Sequence, residues 1–114
     1  MLAKANRITH GRDYRGTVRR GAKIVGPHTV TYIRASDDPS SDARFGFIVA
    51  KSVGIAVVRN SVRRRLKAAS YALLADVRPG TDIVVRALPE ASSQPYRVLF
   101  EELSRSLTKG SVLA

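Results

Sequence analysis

The chain contains no cysteine, so neither a disulfide framework nor a thiolate zinc site is open to it, and a reducing compartment is its natural setting. No apolar run approaches the ~18–20 residues that a membrane-spanning helix requires. The first residues, from Met1 to Ile8, are partly basic with no apolar stretch behind them, which does not read as a signal peptide. A soluble, single-domain protein of the cytoplasm is expected, with no membrane association and no obligate protein partner. Acids are scarce, 9 Asp and Glu against 20 Lys and Arg. Their only cluster is Asp37, Asp38 and Asp42, set among turn formers in Ser36-Asp37-Asp38-Pro39-Ser40-Ser41-Asp42, and it reads as a solvated loop. A protein nuclease working through metal-bound carboxylates is hard to assemble from this. His10 and His28 each stand beside a Gly or Pro without an Asp or Cys at catalytic or ligand spacing, and read as loop histidines. P-loop, dinucleotide-binding and zinc patterns are missing as well. The chain is therefore expected to hold no catalytic residue and no metal ligand of its own.

What is present is positive charge. The net charge is +11 over 114 residues, and 44% apolar content still allows a real core. The excess is one-sided: residues 1–67 carry 15 Lys/Arg against 4 Asp/Glu, while residues 68–114 carry 5 of each. Fifteen of the twenty basic residues are Arg, whose planar fork grips phosphate bidentately and stacks on bases. Self-repulsion of this size is tolerated where a polyanion offsets it. Nucleic acid is the expected partner.

Seven elements are legible. A helix over residues 12–20 puts Tyr14 and Val18 on one face, with Gly21 to end it. A short strand follows near residues 22–25. Thr29-Val30-Thr31-Tyr32-Ile33 is β-branched and aromatic, and in the run from Phe45 to Ala50 the residues Phe45, Phe47 and Val49 alternate onto one face. These two runs read as an antiparallel pair around the acidic loop. A further strand, residues 81–87, follows the breaker pair Pro79-Gly80. The last helix, residues 95–109, has Pro95 at its first position and a core stripe of Tyr96, Leu99, Phe100, Leu103 and Leu107. The order α-β-β-β-α-β-α is an α+β sandwich, with helices against one small sheet.

The middle helix, expected over residues 59–75, carries most of the information. At 100° per residue Val62, Leu66, Ala69 and Leu73 fall within an arc of about 60°, a buried stripe. Beside it Arg59, Arg63 and Lys67 stack at i, i+4 and i+8, and Asn60 and Arg64 extend the same sector. Arg65 alone lies on the opposite flank. Successive turns advance about 5–6 Å, a spacing at which side chains follow a nucleic-acid backbone. Basic residues in a first helical turn oppose the macrodipole by roughly 0.3–1 kcal/mol each, and like charges at i, i+4 add a few tenths. A bound phosphate reverses both signs. Asn60 is suited equally to capping the helix and to touching RNA.

Read whole, the stretch from Arg44 to Lys67, Arg44-Phe45-Gly46-Phe47-Ile48-Val49-Ala50-Lys51-Ser52-Val53-Gly54-Ile55-Ala56-Val57-Val58-Arg59-Asn60-Ser61-Val62-Arg63-Arg64-Arg65-Leu66-Lys67, resembles the signature of the bacterial ribonuclease P protein family. There a strand with a central Gly leads through a Lys-x-x-Gly-x-Ala-Val turn into an Arg-Asn-Arg helix. Asn6-Arg7-Ile8, Asp13-Tyr14, Gly21 and Tyr32 match upstream, so the likeness covers roughly residues 6–87. It implies a small ribosomal-protein-like fold whose strands flanking the middle helix are parallel and joined by a left-handed crossover, against the usual right-handed rule. It implies that Arg59, Asn60, Arg63, Arg64 and Lys67 bind the catalytic ribonuclease P RNA. It further implies that Tyr14, Tyr32, Ile48 and Lys51 line a cleft for the single-stranded 5′ leader of precursor tRNA, where aromatic rings suit unstacked nucleotides. Catalysis would belong to the RNA, with Mg²⁺ held mainly by RNA and substrate. Ser61, Ile55, Ser52 and Val18 depart from the family's usual residues. The competing class is a structural RNA-binding protein such as a small ribosomal protein. A DNA-binding module is weaker, because no helix-turn-helix spacing is present.

Overall fold

A computed structural model describes residues 2–113. Its long elements are α1 (Gly11–Arg20), β1 (Ala22–Val25), β2 (Thr29–Ala35), β3 (Arg44–Ile48), α2 (Ala56–Leu73), β4 (Thr81–Ala87) and α3 (Tyr96–Lys109), the expected α+β order. Single turns of 3₁₀ helix at Lys51–Val53 and Leu74–Asp76 flank α2, and another at Pro89–Ser93 precedes α3. Among the described residues no helix is long and apolar enough to cross a membrane.

The sheet order is β1-β2-β4-β3. β2 pairs antiparallel with β4, Tyr32 opposite Val84, and β3 pairs parallel with β4, Phe45 opposite Ile83. The expected antiparallel pairing of β2 with β3 is therefore wrong, because β4 lies between them. The physical reason is β4 itself: Ile83, Val84 and Val85 are all fully buried, a continuous apolar run that needs cover on both faces and so takes a central position. The parallel β3–β4 pair joined through α2 is the arrangement the family resemblance implies. β3 is left at the sheet edge, and the N-terminal segment partly covers it. Arg7 bridges to Phe45, and the Ile8 amide donates to the Phe45 carbonyl at 2.9 Å.

Two cores result. On one face Val62, Leu66, Ala69 and Leu73 of α2 and Leu99, Leu103 and Leu107 of α3 pack on Ile33, Phe45, Ile83 and Val85, all buried. On the other face the smaller α1 covers Ile8, Val30, Tyr32 and Val84, with Tyr14, Val18 and Ile48 only half-buried at its margin. The stripe assigned to α3 needs one correction. Tyr96 is exposed and lies tilted against half-buried Phe100 with ring centroids 6.0 Å apart, so this end of the stripe is a rim and not core. Pro95 caps that helix from outside it.

Three local features depart from expectation for identifiable reasons. α2 begins at Ala56, three residues early, with Ile55 at the N-cap and no side-chain cap. Asn60 is accordingly inside the helix and caps nothing. Gly21 ends α1 in extended conformation, not the left-handed one. It is glycine because a Cβ there would collide with the Thr17 and Ile33 carbonyl oxygens. His28 is not isolated: its Nδ1 lies 2.8 Å from Glu102 of α3, which also accepts from the His28 amide at 3.0 Å and the Thr29 hydroxyl at 2.5 Å. Buried Glu102 thus fastens α3 to the turn between β1 and β2.

Candidate RNA-binding surface

On the α1 face, Tyr14 is held by two contacts. Its hydroxyl accepts the Phe47 amide proton at 3.2 Å. Its ring lies directly over Gly46, where an added Cβ would come within 2.5 Å of the ring. The central glycine of β3 is what lets the aromatic ring approach this strand. Ile48 emerges beside it, half-buried, and Lys51 is exposed in the 3₁₀ turn that follows. Tyr32 occupies a different environment. It is only 4% exposed, and the Arg86 guanidinium carbon sits 5.6 Å from its ring centroid. Tyr32 is the floor beneath the cleft, and Tyr14 and Ile48 are its open wall.

Arg44 locks this arrangement. It donates to Asp82 of β4 through Nε at 2.9 Å and Nη2 at 2.8 Å, and its Nη1 lies 3.5 Å from Asp13, the neighbour of Tyr14 on α1. The hydrogen bonding to Asp82 outweighs partial desolvation and holds the Arg44 proton more tightly than usual. One guanidinium thereby ties α1, β3 and β4 together.

On α2, Asn60, Arg64 and Lys67 are exposed and Arg59 and Arg63 half-exposed, on one side of the helix. Arg63 donates to the Asn60 side-chain oxygen at 2.9 Å. None of the four cations has a carboxylate within 4.0 Å among the described residues. Arg65 differs, donating to the carbonyls of Gln94, Ser92 and Ser61, and it is a structural tie to the segment before α3. The early start of α2 revises the dipole argument: only Arg59 falls in the first turn, so the remaining strain is mostly like-charge repulsion.

Three hollows join these groups. One of about 290 Å³ lies against Tyr14, Val18 and Ile48, rimmed by Arg15 and Arg19. A second, about 240 Å³, shares Tyr14 and runs past Phe47 to Arg63 and Lys67 of α2. A third, about 280 Å³, shares Arg7 and Lys67 with the second and lies between Leu2 and Ala68. Sequence reading missed Arg7, Arg15, Arg19 and Arg86 as members of this surface. Arg86 was legible in principle, since strand parity puts it with Val84 and Tyr32 on the cleft face.

Four carboxylates are engaged within the protein. Asp13 and Asp82 face Arg44, Glu102 holds His28 and Thr29, and Asp38 accepts from Ser40, which keeps its carboxyl below the usual range. No group of three metal-ligating side chains comes together among the described residues.

A family model described as Ribonuclease P matches residues 2–110. The chain belongs to the ribonuclease P protein family. The ribonuclease P protein component of Clavibacter michiganensis is 48% identical over 110 residues, covering 96% of both chains. That of Mycobacterium avium is 37% identical over 112 residues, covering 96% of this chain and 94% of its own. For the fold alone, the RNase P protein of Staphylococcus aureus superposes with a TM-score of 0.85 at 23% identity, covering 97% of this chain and all of that one. The Thermotoga maritima protein gives 0.79 at 21% identity, over 90% and 96% of the two chains.

Proposed function

We propose that this family member is the RNA-binding subunit of the ribonuclease P holoenzyme, acting in the cytoplasm in the 5′ maturation of precursor tRNA. Arg59, Asn60, Arg63, Arg64 and Lys67 bind the catalytic RNA, and Tyr14, Ile48 and Lys51, over the Tyr32 floor, receive the 5′ leader. The observation that carries the reading is the continuous trough. Apolar, ring-lined walls at the Tyr14 end suit unstacked bases, and the same trough opens onto unpaired Arg and Lys at the α2 end, which suit phosphates. A leader and the RNA that cleaves it are thereby held on adjoining parts of one surface. Mg²⁺ chemistry is assigned to the RNA and substrate, because no three metal-ligating side chains of the protein come together among the described residues. The protein contributes binding and positioning.

The test is salt dependence. Replacing Arg59, Arg63 and Arg64 together with Ala should weaken binding to ribonuclease P RNA and flatten the log–log salt slope by roughly 0.7–0.9 per lost phosphate contact. An unchanged slope would make the stripe a merely solvated face. Thermal stability without RNA should stay level or rise by a few tenths of a kcal/mol, as like charges at i, i+4 are removed.

A further inference from the structure

The third hollow is not explained by a backbone-tracking stripe. Its floor is apolar, made by Leu2 and the small side chain of Ala68, and its rim carries Arg7, Arg64 and Lys67. The two walls come from opposite ends of the basic region. The N-terminal wall is held in place independently of α2: the Asn6 side chain donates to the Ala43 carbonyl at 2.9 Å, and Arg7 and Ile8 are paired to Phe45. The hollow is therefore built by the fold. Among the described residues none of the three rim cations has a carboxylate partner.

We infer that this hollow receives one unstacked nucleotide of the RNA that α2 binds, its base against Leu2 and Ala68 and its phosphates at Arg7, Arg64 and Lys67. The inference rests on the RNA-binding reading of α2 and adds an anchoring point to it. An apolar slot ringed by cations matches the two halves of a nucleotide, a flat π-face and an anionic backbone. At about 280 Å³ the hollow falls just below the ~300–1,000 Å³ range of pockets that enclose drug-sized ligands, which suits a single base and not a larger group. A regular duplex presents phosphates to such a rim but no free base, so the partner is a bulged, looped or terminal nucleotide.

Ala68 permits a test that leaves every charge in place. It is exposed on α2, so Ala68→Phe plugs the hollow without entering the core, and Ala68→Leu is a smaller plug should the first variant fold poorly. Holoenzyme assembly on ribonuclease P RNA is measured by filter binding across a salt series for wild type, A68F and Arg64→Ala. The expected result is a five- to hundred-fold weaker Kd for A68F with an unchanged salt slope, while R64A flattens the slope. Chemical probing of the RNA should show one nucleotide whose base is shielded by wild type and not by A68F. Wild-type affinity and shielding in A68F would overturn the inference, as would a loss of affinity accompanied by a flattened slope, which would mean that the plug displaces cations. Failure of the wild-type protein to bind the RNA would instead sink the underlying functional reading.

Discussion

The two faces of the sheet are built from the same four strands and serve different ends. Beneath α2 and α3 the sheet is covered by buried side chains, among them Val62, Leu66, Leu99, Leu103 and Leu107. Beneath α1, a helix of ten residues, only Ile8, Val30, Tyr32 and Val84 are buried, and Tyr14, Val18 and Ile48 stay at the margin. A short helix cannot cover a sheet face, and the uncovered remainder is the trough. Charge follows the same division. The neutral residues 68–114 supply β4 and α3, while residues 1–67 supply α1, the N-terminal segment and the basic part of α2. The large core thus fills one face, while the basic surface runs from the open margin of the other onto the exposed side of α2.

A large effect should come from the clamp between the faces. Arg44→Ala strands the Asp82 carboxylate, which is only 4% exposed, and breaking such a pair costs about 3 kcal/mol, the lower end because Arg44 is partly in water. Urea denaturation should show that loss, and much of it should return in Arg44→Met/Asp82→Leu, where no charge is left buried. Next come the faces themselves. Leu66→Ala should cost about 2–5 kcal/mol, as expected of a fully buried leucine. Ile48→Ala should cost about 1 kcal/mol, because that side chain is already partly in solvent. Equal losses at the two positions would remove the distinction between a sealed face and an open one.

Much of this division was legible in the sequence, and the exceptions have causes. The bounds of β4 and the buried stripe of α2 followed from periodicity and breakers, because in both the apolar pattern is strict. The start of α2 did not. Ile55 and Val57 are 73% and 74% exposed, so apolar residues there point to water and carry no amphipathic signal, and no capping side chain marks the boundary. Strand order was lost because pairing of chain neighbours is only a tendency, and the run in β4 that reveals a central strand lies far along the chain. Tyr14 and Tyr32 were indistinguishable by type. Only the fold shows one ring over Gly46 at the open edge and the other beneath Arg86. The partnership of His28 with Glu102 spans 74 residues, beyond any local spacing rule.

If the α1 face holds the leader while α2 holds the catalytic RNA, the protein must affect substrate choice. Holoenzyme assembled with wild-type or Tyr14→Ala protein is titrated with precursor tRNA and with mature tRNA, after equal assembly and folding of both proteins have been verified. Loss of one stacking platform should weaken precursor binding by about five- to hundred-fold, and mature tRNA, having no leader, should bind as before. Equal losses for both ligands, or no loss for either, would contradict that arrangement.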